Sequence, residues 1–391
     1  MLLSSEIGIL LFASFVTTFG FGIIQPILPI FAADLKASGF MLGLIFSAMS
    51  MSKLFFNPLF GWLSDKKGRK VFITSGLFIY VFVALSYTLI STPVQMIFVR
   101  LAAGFAYAMV MPIVIAYIGG MSKQGEESYN MATLNLSAGL GMAMGPIIGG
   151  ILADKFNMNA AFYGQATLLF ISFLITLFLL PNQKPDHKAV QTAKLPLKKL
   201  FSSNVMIGIA ISTCMNAMTM SSLFVFMPLF SKSLKLTNTQ IGILLATVMI
   251  LSGLLQLPFG KLAGKYDKIN FIISGSLIGA ATVGLLPLCH GFHALLGVSL
   301  LVAIGFAMSG PALSGLLIER SRATGLGASI GTISAFQEAG LIVGPVFSGL
   351  IMDKIDLNSV FYIMAGFSAL ATFIFILFTK IKTDNQALNE I

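Results

Sequence analysis

Charge is what this sequence has least of. Only 10% of its 391 residues are charged, against about a quarter in an ordinary soluble domain, and that excludes a normal water-facing surface. Cysteine is limited to Cys214 and Cys289, both inside apolar stretches and without the spacing of a disulfide framework or a metal site. His187, His290 and His293 lie in or near connections and lack the carboxylate or cysteine company that a metal centre needs, so neither metal nor cofactor is implied. No Gly-x-x-x-x-Gly-Lys loop occurs, which argues against ATP hydrolysis, and no enzyme motif is found.

What is there is apolar. Hydrophobic residues make up 57% of the chain and the mean hydropathy is +0.93. They fall in twelve stretches nearly free of charge, at 7–32, 40–63, 71–90, 94–118, 128–152, 160–180, 204–230, 239–260, 270–289, 294–318, 325–352 and 358–379. Nearly all exceed the roughly 18–20 residues that cross a bilayer as a helix. The first lacks a basic n-region and a small-residue cleavage site, and reads as a retained helix rather than a signal peptide. The fold class expected is an all-α membrane protein of twelve transmembrane helices.

The net charge of +10 is explained by position, and nucleic acid is not an expected partner. With the first helix starting inside, the inner connections hold 17 of the 24 Lys and Arg, including Lys66, Lys67, Arg69, Lys70, five lysines in 184–199, Lys261, Lys265 and Lys268. The outer ones hold 5: Lys36, Lys155, Lys232, Lys235 and Lys354. This bias predicts both termini in the cytoplasm and a multi-pass protein of the inner (plasma) membrane, its basic loops meeting anionic lipid.

The chain also repeats. GPIIGGILAD at 145–154 aligns with GPVFSGLIMD at 344–353, an offset of 199 residues that also pairs Phe60-Gly61 with Phe259-Gly260, Pro29 with Pro228, and Pro112 with Pro311. The expected organisation is an N-terminal six-helix bundle at 1–181, a cytoplasmic linker at 182–203 and a C-terminal six-helix bundle at 204–391, two pseudo-symmetric halves around a central site.

Four motifs carry a family resemblance. The loop after helix 2 reads GWLSDKKGRK, with Gly61, Asp65, Gly68 and Arg69; glycine permits the sharp turn and the carboxylate can accept from a helix N-terminus. It resembles the Gly-x-Leu-Ala-Asp-x-x-Gly-Arg-Lys signature of the major facilitator superfamily, with Ser64 in place of alanine. Helix 5 carries Gly141, Gly145-Pro146 and Gly149-Gly150, which allow close helix approach and a bend and look like the Gly-x-x-x-Gly-Pro-x-x-Gly-Gly motif of the drug:proton antiporters. Gly22, Pro26 and Pro29 in helix 1 are similar to the start of the twelve-helix drug exporters, and Arg100 with Gly104 matches the Arg-x-x-x-Gly element linked with proton coupling.

The resemblance implies a transporter, not an enzyme, that rocks two bundles around a cavity and usually works as a monomer. Its partners would be a small-molecule substrate, protons and membrane lipids, and the function expected is export of a small amphiphilic molecule by proton antiport. The gating motif would be Gly61, Asp65, Gly68, Arg69, Gly145 and Pro146. An anionic or zwitterionic metabolite (a siderophore, sugar derivative or lipid), exported or facilitated without protons, is the alternative, and a non-transporting sensor is a further one.

Only Lys53, Arg100 and Glu338 place charge inside the spans, where it is costly and marks function. At about 1.5 Å per residue, Lys53 in helix 2 and Glu338 in helix 11 both reach mid-depth. Because the family sets those helices face to face, a pair across the interface is expected. Glu338, Arg100 and Lys53 are the proton-coupling candidates. Helix 7 offers Asn216 and helix 10 offers no carboxylate, so a cationic substrate lacks the partner it normally wants. Asn216, Met220, Phe224 and Met227 share one face of helix 7 and, with Gln25, are the substrate-binding candidates, methionine being able to repack around varied shapes.

Overall fold

The computed structural model describes residues 5–122, 126–182, 204–321 and 326–387. Nearly all of the expected linker, 183–203, lies outside the described residues, as do Lys123 and Arg322. Among the described residues twelve helices are long and apolar enough to cross a membrane. They are α1 (Ser5–Asp34), α2 (Gly39–Lys67), α3 (Arg69–Ser86), α4 (Pro93–Met121), α5 (Glu127–Lys155), α6 (Met158–Leu179), α7 (Asn204–Ser233), α8 (Asn238–Lys265), α9 (Lys268–Leu285), α10 (Phe292–Ser321), α11 (Leu326–Lys354) and α12 (Leu357–Ala387).

Their starts follow from capping chemistry. The Ser38, Thr92, Asn157, Thr237 and Asp267 side chains each accept from a first-turn backbone N–H, satisfying donors that a helix leaves unpaired. Thr92 with Gln95 and Thr237 with Gln240 close reciprocal capping boxes. Helix α1 breaks at Gln25–Ile27, where Pro26 has no N–H to give and Gln25 and Ile27 fall back on tight turns to the Gly22 and Ile24 carbonyls.

Packing repeats with the sequence. Within the first half α1 lies against α5 and α6, α2 against α4, and α3 against α4 and α6. The second half has the same neighbours: α7 against α11 and α12, α8 against α10, and α9 against α10 and α12. The likeness reaches the backbone, since Lys36 and Lys235, 199 residues apart, both turn left-handed just before α2 and α8, with φ of 60° and 62°. Tyr80, Tyr117 and Phe162 fill the core of one bundle and Phe226, Phe361 and Phe375 that of the other, while Phe55, Leu89 and Phe178 lie exposed as a lipid-facing surface requires.

The halves meet along α2 with α11 and α5 with α8. Small residues make this possible: Gly39 meets Gly349, Gly43 meets Pro345, Gly150 meets Asn238 and Gly242 meets Pro146, each so closely that an added Cβ would strike the facing backbone. All four contacts lie toward one end of the molecule, the end of Asp154 and Asp353. Toward the other end, where Asp65 lies, Gly61, Gly139, Gly253 and Gly331 on the same four helices have open space around them.

Candidate functional site

A cavity between the halves adjoins a second one within the C-terminal half, and the two form an upper and a lower lobe. The upper one, about 260 Å³, is lined by Phe21, Gln25, Phe46, Met49, Lys53, Arg100, Tyr107, Met220 and Phe224 among others. The lower one, about 470 Å³, lies in the second half and is lined by Thr213, Asn216, Ser252, Gln256, Ser309, Ser334 and Gln337. Met220 and Leu341 line both. The upper lobe is therefore aromatic and cationic, and the lower is uncharged and rich in hydroxyl and amide groups.

Of the expected substrate-binding residues, Gln25, Met220 and Phe224 line the upper lobe, and Asn216 and Met220 the lower. Met227 does not belong with them: it is 1% exposed, packed in the interior, and lines neither lobe. It stands a turn nearer the sealed Asp353 end of α7, where the halves close around the helix. Phe21, Phe46, Met49 and Tyr107 were not legible as lining residues, because an apolar residue on a membrane helix looks the same whether it faces lipid, a neighbouring helix or a cavity.

Lys53 Nζ lies 3.3 Å from Glu338 Oε1, bridging α2 to α11 with the side chains 16% and 25% exposed. The Lys53 ammonium also sits 5.7 Å from the centre of the Tyr107 ring, a weak cation–π contact. Nearer the Asp353 end, the Ser47 hydroxyl donates to the Ile342 carbonyl across the same interface. The second carboxylate oxygen of Glu338 is buried without a partner, so the pair is not fully compensated.

Arg100 is held differently. Its Nε donates to the Ile45 carbonyl at 3.4 Å, and its guanidinium carbon lies 5.2 Å and 5.8 Å from the ring centres of Phe46 and Phe21. Gly104, one turn along, explains the position: it lets α4 close onto the backbone of α2 at Met49, so that Arg100 meets α2 a turn earlier. The residue is only 2% exposed, its Nη1 has no hydrogen-bond partner, and it belongs to none of the ion pairs found among the described residues.

At the Asp65 end, Gly68 turns with φ 93°, a conformation that costs glycine nothing. Arg69 pairs with Asp65 at 3.1 Å and donates to the Ala116 carbonyl of α4 at 2.9 Å, which ties the α2–α3 turn to its own bundle. Gly145 packs against Phe19 and Gly22 of α1, and Pro146 against Gly242 of α8.

Two carboxylates that the sequence reading passed over hold the opposite end. Asp154, at the end of α5, accepts from the Asn238 and Thr239 backbone N–H groups at 3.0 and 2.7 Å and from both their side chains. Asp353, at the end of α11, accepts from the Gly39 and Phe40 N–H groups at 2.6 and 2.8 Å. Each half thus sets a carboxylate on the N-terminus of a helix of the other, where the dipole favours negative charge. The repeat contained the signal: Asp154 and Asp353 end the two matched segments, and Gly39-Phe40 and Asn238-Thr239 stand at the same 199-residue offset.

Two pseudo-symmetric six-helix bundles around a central cavity, sealed at one end, are the layout of membrane transporters built from repeats. The Major Facilitator Superfamily sequence profile matches residues 10–237 and 209–390. The chain belongs to that superfamily. It is 28% identical over 376 residues to an uncharacterized MFS-type transporter of Methanocaldococcus jannaschii, covering 94% of this chain and 96% of that one. It is 26% identical over 385 residues to the quinolone resistance protein NorA of Staphylococcus aureus, with 97% of each chain covered. Among solved structures, a D323A mutant of the nucleoside transporter NupG superposes with a TM-score of 0.84 at 18% identity, covering 96% of this chain and 100% of that one. The relatives agree with the drug:proton antiporter branch, and the chain is a multi-pass membrane protein whose family implies a small-molecule substrate.

Proposed function

We propose that the protein is a secondary active transporter that exports a small amphiphilic molecule in exchange for protons. The observation that carries this reading is the Lys53–Glu338 pair, which joins the moving halves at mid-depth beside the cavity. An ionised Glu338 holds α2 to α11 through Lys53; a protonated one loses that attraction and releases it. Proton binding is thereby coupled to the α2–α11 interface, which rearranges between the two faces. On the charge of its loops we place the Asp65 end in the cytoplasm; on that reading the conformation described here faces inward and would load substrate from that side. The name of the Staphylococcus aureus relative, a quinolone resistance protein, supports outward transport of a foreign amphiphile.

The test is proton flux in proteoliposomes containing a pH-sensitive dye, with wild type or Glu338→Gln, on addition of cationic, zwitterionic and anionic compounds. Substrate-evoked proton movement in wild type and none in the variant is expected. Equal flux in both would remove Glu338 from the coupling, and substrate equilibration without any proton movement would make the protein a facilitator.

A further inference from the structure

Arg100 is the one charge in the cavity wall that the protein does not balance. Lys53, the other cation there, is matched by Glu338 at 3.3 Å, whereas Arg100 has an unpartnered Nη1 and no carboxylate within ion-pair distance among the described residues. A buried cation without its counter-charge is strongly destabilising in a low-dielectric interior. A guanidinium whose remaining edge borders a cavity is suited to a planar or tetrahedral oxyanion, which it can grip through parallel N–H groups.

We propose that the upper lobe is an acid-recognition subsite, in which Arg100, with Gln25 beside it, binds a carboxylate, sulfonate or phosphate group of the transported molecule. The guanidinium carbon lies 5.8 and 5.2 Å from the ring centres of Phe21 and Phe46, which confine it, and the residue still lines the lobe. Gln25 is 8% exposed, lines the same lobe at the break in α1, and carries a buried side-chain oxygen with no partner; with its amide rotated, it adds a donor to the same acid. The aromatic and methionine wall takes the apolar body. The lower lobe, lined by Asn216, Gln256 and Gln337 with several hydroxyls and no charged side chain, takes a neutral hydrogen-bonding end. The substrate class is thus an acidic amphiphile with an uncharged polar tail.

This inference rests on the export reading and fits its electrostatics. With an acid on Arg100 and Glu338 ionised, two cations face two anions and the loaded cavity has no net charge. Protonating Glu338 in the loaded carrier adds an uncompensated positive charge in low dielectric. The loaded carrier therefore crosses deprotonated, as exchange with protons requires, while the empty one returns positive and is drawn inward by a negative membrane potential.

The test uses two probes of one skeleton: 8-anilinonaphthalene-1-sulfonate and the uncharged N-phenyl-1-naphthylamine. Trp62 is the sole tryptophan, so a Trp62→Phe, Met49→Trp background in lipid nanodiscs reports binding in the cavity by energy transfer from position 49. The sulfonate is expected to bind about ten-fold tighter than the neutral amine, the gain of a hydrogen bond to a charged group. Arg100→Gln should abolish the preference and Arg100→Lys retain part of it. Gln25→Glu, which hands Arg100 an internal acid, should also abolish it, and that variant decides the matter where Arg100→Gln does not fold. Equal binding of the two probes in the parent, or an undiminished sulfonate preference in Gln25→Glu or in folded Arg100→Gln, overturns the subsite. The binding readout needs no gradient: sulfonate preference without proton flux defeats the exchange mechanism alone, and flux without preference defeats the subsite alone.

Discussion

At the scale of single residues, the three intramembrane charges do different work because their surroundings differ. Lys53 and Glu338 share their desolvation across an interface, so removing one partner is worse than removing both. Lys53→Met should lower stability by about 2 kcal/mol, and Lys53→Met with Glu338→Met should recover most of it. Thermal unfolding in detergent reads this directly: a double variant melting no higher than the single would show that the pair contributes no mutual compensation. All three charges were legible in the sequence, since nothing else in the spans carries charge, and an offset of about half a helix from each end located Lys53 and Glu338 at one depth. What could not be read was that Arg100 lacks an acid. That depends on which helix faces which, and on Gly104 drawing α4 onto α2.

At the scale of the helix, function is written in close approaches. The glycines at the sealed end are there because backbone touches backbone. Gly43→Ala or Gly242→Ala would push a methyl group into the carbonyl of Pro345 or Pro146 and disfavour the closed end. Each should shift the population toward the state open at the Asp353 end, read as faster modification of a cysteine placed at Phe46 in the upper lobe by a reagent supplied from that side. Unchanged reactivity would mean that the end does not open along these helices. The glycine density of α5 signalled tight packing from sequence alone, and the proline positions signalled the break in α1. The partners were not legible, because a glycine states that something approaches without stating what.

At the scale of the whole molecule, two bundles around one central cavity predict movements of opposite sign. Spin labels at Lys155 and Lys232 sit on different halves at the sealed end, and labels at Lys66 and Lys265 on different halves at the open end. When substrate and a proton gradient are supplied, the first distance should lengthen in the molecules in which the second shortens. Both distances moving in the same sense would rule out rocking about a central site. Helix number, repeat and orientation of charge were open to reading because the bilayer imposes length and sidedness on the sequence. The shape of the cavity depends on how the halves are tilted, which no periodicity encodes.

The two carboxylate latches have a consequence for how such a protein can vary. In each, two of the donors are backbone N–H groups, at Gly39 and Phe40 in one and at Asn238 and Thr239 in the other. Amides of the main chain persist through almost any substitution except proline, so both donors found on Asp353 and two of the four on Asp154 are shielded from mutation. Inherited change in closing strength is therefore concentrated at Asp154 and Asp353 and at the side chains of Asn238 and Thr239. Because the two carboxylates occupy matching positions of the repeat, each can drift while its twin still holds, and the equilibrium between inward and outward faces can be adjusted in small heritable steps rather than lost in one.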